Sequence, residues 1–453
     1  MRSLIALSVV LLAGCSDFLN NDKAKSMNGP AGGLTEGPKR PDVNPLPPGL
    51  ENPNQAPFTE EKMLVNIGIN VIAPAAADLA LETSVLEKRI ARACQALSQA
   101  GESAGTGLTA EWLEAQTQWK RAMLAFHRVD SFPIGPLWKE DKKISSRIYS
   151  WPLFNSCGID NETVRVKDGI GTSGSDLPNP VRGLGAIEYL LFEPSMGTKC
   201  NARAYPQVVK WTALSQTEKR RDRCAFASRL ATDLSEQSKV LSDEWDPKGR
   251  NYTRMFIDKS DSKYPNVQAA ANAVTDSLFQ IEALKDLRLA RPLGFHKDCV
   301  SPTGKCPLDS EHPFSDFALA AASARLAAFN DAIHGQFNGA QGTTNGFGFD
   351  DLLISRGHAE IATKLSGLIE VSRQGFKKYS MSVGSGVTGG GRTFISEIET
   401  MSKDECVAST SSNRQVEICA LFQDVRAVSI SLKAELLAVL ALRSPPTYQG
   451  DND

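Results

Sequence analysis

Thr109-Ala110-Glu111-Trp112-Leu113-Glu114-Ala115-Gln116-Thr117-Gln118-Trp119-Lys120-Arg121-Ala122-Met123-Leu124-Ala125-Phe126 sets the class of the fold. Trp112, Ala115, Trp119, Ala122 and Phe126 recur at helical spacing and fall on one face. Thr109 stands where a helix N-cap belongs, and Glu111 and Glu114 in the first turns complement the helix dipole. Such a row is a core stripe, and nothing in it asks for an aromatic ligand box. The helix stops at Asp130-Ser131-Phe132-Pro133-Ile134-Gly135-Pro136, where two prolines and a glycine forbid continuation.

The same periodicity extends outward in both directions. Residues 59–99 carry apolar positions at helical spacing, interrupted near Pro74, which predicts one kinked or broken long helix. Downstream, residues 137–216 read as a long irregular section, whose apolar and aromatic content argues for function over disorder. Helical spacing returns at 217–244, 265–289, 314–335, 350–377 and 414–443, while Gly384 to Gly391 reads as a connection. Strand signals are sparse. The expectation is an all-α protein of two helical-bundle domains of four-helix type, residues 58–246 and 247–445, with a polar tail at 446–453. About 400 residues exceed one comfortable core, which favours two.

The N-terminus reads as an export leader, residues 1–15: Arg2, an apolar run from Leu4 to Ala13, then Leu11-Leu12-Ala13-Gly14-Cys15. Small residues before a cysteine resemble a bacterial lipobox, which makes Cys15 the lipidation site and the membrane a partner through that lipid. Ser16 after the cysteine points to the outer membrane facing the periplasm; Asp17 beside it leaves the inner membrane and the cell surface open. Residues 16–57, rich in Asn, Pro and Gly, read as a flexible tether. No later apolar run is expected to reach membrane-spanning length. Formal charge is −2 and no long basic run occurs, so nucleic acid is excluded as a partner.

Nine cysteines less Cys15 leave eight, an even number that suits disulfides in an exported protein. Cys299–Cys306 and Cys406–Cys419 each flank a loop and are the first pairs to expect. Cys94–Cys157 and Cys200–Cys224 complete the set, although spacing alone does not settle connectivity.

Within the irregular section, Pro180-Val181-Arg182-Gly183-Leu184-Gly185-Ala186-Ile187-Glu188-Tyr189-Leu190-Leu191-Phe192 places one acid, Glu188, in an apolar run. An acid there needs a partner. The plain reading pairs it with a local arginine such as Arg182.

Several landmarks together resemble the imelysin-like family of exported bacterial proteins. They are Trp119 to Phe126 ending in Asp130-Ser131-Phe132-Pro133-Ile134-Gly135, then Arg147-Ile148-Tyr149-Ser150-Trp151-Pro152-Leu153, then Val181 to Leu191. Arg291-Pro292-Leu293-Gly294 and Gly348-Phe349-Asp350-Asp351-Leu352-Leu353 follow in order. The resemblance implies a two-domain helical fold, an envelope location, a link to iron acquisition with an envelope protein of an iron-uptake system as partner, and a metallopeptidase label. Residues 181–191 are similar to the family's G-x-H-x-x-E motif, with Gly183 and Glu188 kept and Tyr189 following. Gly185 stands at the histidine position and offers no ligand atom.

Five histidines remain, His127, His296, His312, His334 and His358, and none has Glu three places later. A zinc peptidase needs about three protein ligands and a water, and local motifs do not supply them. Catalytic residues are therefore expected to be none. Metal candidates are Glu188, Asp130 and His127, with Arg182, Trp151, Gly183, Gly185, Tyr189, Asp350 and Asp351 shaping the site, the last two also readable as a cation site. Plainer readings stand beside each: His127 as an exposed helix-end residue, Asp350-Asp351 as a helix cap, and His358 and Glu360 on different helix faces. Carboxylates without imidazole suit hard cations. The expected function is a lipid-anchored periplasmic protein of metal, chiefly iron, acquisition. Alternatives are an imelysin-type metallopeptidase, or an envelope scaffold in which Glu188 pairs with Arg182 or Arg128.

Overall fold

Thr59 and Thr109 accept the N–H groups of Lys62 and Trp112 at 3.1 and 3.2 Å, each opening a long helix. The computed structural model describes residues 49–50, 56–99, 108–170, 176–198, 200–258, 264–340, 342–383 and 393–440. The leader with Cys15, most of the tether, the Gly384–Gly391 connection and the tail lie outside the described residues. The main helices are α1 (Glu60–Gln99), α2 (Ala110–Asp130), α3 (Lys139–Ile148), α4 (Ser156–Lys167), α5 (Gly183–Phe192), α6 (Val208–Ala213) and α7 (Gln216–Trp245). After them come α8 (Val267–Leu278), α9 (Ala318–His334), α10 (Phe349–Ser355), α11 (Ala359–Val383), α12 (Phe394–Thr400) and α13 (Glu417–Ser431). Strands among the described residues are two of three residues, Phe337–Gly339 and Gly342–Thr344, paired as an antiparallel hairpin.

The protein is all-α, as the periodicity predicts. Trp112, Ala115, Trp119, Ala122 and Phe126 are all buried. α1 packs along α7 and α2, and short α5 closes the fourth side against α7 and α2. In the second half α9, α11 and α13 pack together, and α9 also lies on α2. One apolar core runs through both halves.

α1 runs through Pro74 as one long helix, one of the two forms expected, with a π-helical turn at Ile67–Ile72 just before the proline, which donates no N–H. Three expectations change. α1 is also long and apolar enough to cross a membrane by length and composition, contrary to the expectation of no later apolar run of that length. Most of its apolar window is buried within the protein, as in a core helix. The section 137–216 is not irregular: α3, α4, α5 and α6 lie in it, too short to show a periodic stripe. Finally, the cysteines pair Cys94–Cys224 and Cys157–Cys200, with Cα separations of 5.4 Å each. The lengthwise contact of α1 with α7 brings Cys94 to Cys224, which excludes the expected Cys94–Cys157 and Cys200–Cys224. Cys299–Cys306 and Cys406–Cys419 form as expected.

Candidate metal centre

Two tryptophans of α2 hold α5 in place. Trp119 donates to the carbonyl of Leu184 at 2.9 Å, and Trp112 to that of Leu191 at 3.0 Å. Gly183 opens α5 at φ +66, where an added Cβ would lie 2.3 Å from the Ile148 carbonyl oxygen. Only glycine fits so tight a start. The result points Glu188, 3% exposed, toward the segment Glu311-His312-Pro313-Phe314-Ser315.

That segment supplies the partner Glu188 needs. His312 Nδ1 lies 3.2 Å from Glu188 Oε2. Oε1 accepts from the N–H groups of Phe314 and Ser315 at 3.2 and 3.0 Å and from the Ser315 hydroxyl at 2.8 Å. His312 itself sits at φ +56, a conformation uncommon for a non-glycine residue and frequent at functional sites. The Tyr149 ring stacks on it, 5.3 Å between centroids, and Trp119 meets it edge-on at 5.5 Å.

The other ring nitrogen, His312 Nε2, faces His127 Nε2 at 2.8 Å. Glu311 joins them, so that His127, Glu311 and His312 each bring one ligand atom within 4.8 Å of the others. All three are at most 1% exposed. Arg288 Nε lies 2.9 Å from Glu311 Oε2, and Arg325 lies 3.8 Å from Oε1 and 3.2 Å from Asp130. Burial alone would raise the Glu311 pKa, but the two guanidiniums outweigh it and hold it below the usual value. Burial, aided by Arg325 and His312, drives the His127 pKa well down, so its ring is neutral. Burial also pushes the Tyr149 phenol well above its ordinary value, so the phenol keeps its proton.

The donors fit a metal ion. Two imidazoles and one ionised carboxylate are a familiar divalent-cation set. His127 Nδ1 is buried with no hydrogen-bond partner, so no protein group fixes which ring nitrogen carries the proton from that side. Two imidazole nitrogens bound to one ion at 2.0–2.1 Å stand about 3 Å or more apart. The 2.8 Å gap needs to open by only a few tenths of an ångström.

The sequence-derived candidates distribute unevenly over this site. His127 is in it and is wholly buried, not exposed, because α9 and the 311–317 segment cover the end of α2. Glu188 is adjacent. Asp130 bonds instead to Arg325 and, at 2.9 Å, to Ser145. Arg182 pairs with Asp233, and Arg128 with Asp331, so neither is the partner expected for Glu188. Tyr189 donates to Asp160 at 3.1 Å and lies beside Arg223. Trp151 lies under the Arg288 guanidinium at 4.9 Å and lines a cleft of about 320 Å³ with Gly185, Glu188 and His312. At Gly185 an added Cβ would meet only the Tyr149 ring, at 3.5 Å. Asp351 reaches back to the Gly348 N–H at 2.9 Å, a capping role, while Asp350 pairs with His334 at 2.7 Å. His358 precedes α11 and so escapes the helix-face rule, lying 3.6 Å from Glu360. The residues that sequence reasoning missed are Glu311 and His312. Their one local signal is a histidine between an acid and a proline, just after the Cys299–Cys306 loop.

Fold and site define an all-helical protein with a buried His/Glu cluster assembled from sequence-distant segments. The family model described as Imelysin, which carries a peptidase label, matches residues 72–405, and the chain belongs to the imelysin family. An imelysin-like protein from Psychrobacter arcticum 273-4 has a similar structure, with a TM-score of 0.56 and 15% identity over 88% of this chain and 99% of that one. An iron-regulated protein A precursor from Parabacteroides distasonis ATCC 8503 aligns at a TM-score of 0.54 and 13% identity, over 83% of this chain and 96% of that one. At these identities the likeness shows the fold. No curated protein matches the sequence.

Proposed function

We propose that this imelysin-family chain is an exported, lipid-anchored protein that binds a metal ion, iron first, for acquisition in the cell envelope, and is not a protease. The observation that carries the reading is the buried set His127, Glu311 and His312. The ion would be held by these three residues, and its chemistry there is binding. Gly185 stands at the histidine position of the family motif and offers no ligand atom, which speaks against the zinc-peptidase set. The iron-regulated description of the structural relative from Parabacteroides distasonis supports iron as the first ion to try. The lipobox supports anchoring through Cys15, the tether leaving the folded part free to meet an envelope protein of an iron-uptake system.

The test is titration of the purified mature protein with Fe(II) under anaerobic conditions, and with Zn(II) and Ca(II), followed by metal analysis after gel filtration. One ion per chain is expected, lost in His127→Ala and His312→Ala, with casein left uncut in the presence of zinc. Failure to take up any of the three ions would sink the reading. Chelator-sensitive cleavage of casein would replace it with the peptidase. Lipid labelling that disappears in Cys15→Ala tests the anchor separately.

A further inference from the structure

An ionised carboxylate can only accept hydrogen bonds. Glu188 Oε2 lies 3.2 Å from His312 Nδ1 and the Tyr149 hydroxyl oxygen 3.3 Å from it; both can accept a proton carried on Nδ1, an arrangement that leaves Nε2 with its lone pair. Nε2 is the atom that faces His127, at 2.8 Å. The other carboxylate oxygen is taken up by Phe314 N–H, Ser315 N–H and the Ser315 hydroxyl. Both oxygens of Glu188 thus hold one short segment, and neither belongs to the three converging donors. His312 also keeps a left-handed backbone, φ +56, which persists only where the surroundings enforce it. Those surroundings are Glu188 from α5, the stacked Tyr149 ring and the Trp119 edge from α2.

We propose that Glu188 is a positioning residue and not a ligand: it sets the tautomer and tilt of His312 so that His127, Glu311 and His312 take a divalent cation of the Fe(II) or Zn(II) type. This rests on the metal-binding reading above. Two imidazoles with one carboxylate favour those ions over calcium and magnesium, which prefer all-oxygen sets. In the metal-free protein, His127 donates its own proton into the gap between the two Nε2 atoms. A cation displaces that hydrogen bond, and the His127 proton moves to the buried, unpartnered Nδ1. The two rings keep the same number of protons before and after, one being released at Nε2 and one taken up at Nδ1.

Glu188→Gln separates a positioning role from a ligand or a merely structural one. The glutamine oxygen still accepts from Phe314 and Ser315, which keeps the segment seated. Its amide now faces His312 as a donor beside the Tyr149 hydroxyl, which can turn to donate as well, so the favoured ring accepts at Nδ1 and carries its proton on Nε2. That tautomer has no lone pair for a cation. The experiment combines Zn(II) titration, X-ray absorption of the zinc-loaded protein, and long-range ¹H–¹⁵N spectra of the metal-free protein, which report the tautomer without any metal.

Expected are an Nδ1–H ring in the wild type, an Nε2–H ring in Glu188→Gln, and affinity lower by about 10–100-fold or more in that variant, the range typical of such partners. Thermal unfolding stays close to wild type. Ser315→Ala, which removes one bond to Oε1 and none to the ring, keeps its tautomer and most of its affinity. Wild-type affinity in Glu188→Gln, an unchanged tautomer there, or a zinc site with fewer than two imidazoles overturns the proposal. Should Glu188→Gln fail to fold, Glu188→Asp decides. A retained Nδ1–H ring with two-imidazole coordination supports positioning, and a lost imidazole overturns it. A wild type that binds no ion defeats the metal-binding reading itself, and the tautomer measured without metal tells that failure apart from this one.

Discussion

Asp316 anchors the far end of the His312 segment, at φ +49, by accepting the Phe394 N–H at 3.0 Å. Burial pushes its pKa from 3.8 up to about 6. A carboxyl raised on folding binds protons more readily in the folded state, so its contribution is fully present below 3.8 and lost as pH rises through about 6. Asp316 is nevertheless an exposed residue, so solvent screens much of this effect and its share of stability is well below what the full shift would give. Asp316→Asn should flatten urea stability between pH 4 and pH 7, leaving a residual slope from Asp276, which burial also raises to about 6. A slope unchanged in the variant would contradict this. Arg182 and Asp233 make a second residue-scale case, a buried ion pair 3% and 6% exposed. Asp233→Ala should cost about 3–5 kcal/mol in urea unfolding, since it leaves the guanidinium buried without its carboxylate. The need of Glu188 for a partner was legible in the sequence, because an acid among Ile187, Leu190 and Leu191 has nowhere cheap to go. The identity of that partner was not. His312 lies 124 positions away, and the nearer Arg182, itself buried, is paired with Asp233 instead.

At the scale of elements, α5 is placed by contacts its own sequence does not contain. Its start needs Gly183 at φ +66 against the Ile148 carbonyl, and its two ends hang from Trp119 and Trp112. Gly183→Ala should cost at least about 2 kcal/mol in urea unfolding. The left-handed backbone accounts for 1–2 kcal/mol of that and the collision with fixed backbone for the rest. Metal affinity should fall with it, since Glu188 rides on the same helix; full stability in the variant would refute this account of the turn. Long helices such as α2 and α7 were legible because an amphipathic stripe over many turns leaves a period. α3 to α6 were not, since 6 to 12 residues show too few turns to separate helix from loop. The π-turn at Leu284–Ala290 belongs with them. It carries Arg288 to Glu311 and Trp151, and no residue pattern announces the extra residue in its turn.

For the whole molecule, the site draws its residues from both sides of the expected boundary near residue 246, and α1, α2 and α7 form one packed bundle. The Cys94–Cys224 bridge acts on that bundle. It spans 130 positions and ties α1 to α7, whereas Cys299–Cys306 spans seven and closes a surface loop. If a bridge stabilises mainly by restricting the unfolded chain, closing the long loop contributes about 5 kcal/mol and the short one about 2.5 kcal/mol. Removing Cys94–Cys224 by paired alanine substitution should therefore lower urea stability about twice as much as removing Cys299–Cys306. The ordering for metal binding should run the other way. The short loop ends five residues before Glu311 and so lies next to the ligand segment in the chain, while the long bridge is remote from it. Loss of Cys299–Cys306 should weaken the ion at little cost in global stability, and loss of Cys94–Cys224 should do the reverse. Parallel urea curves and zinc titrations on the two double variants check the crossing, and a single ranking shared by both measurements would show that the site has no stability of its own.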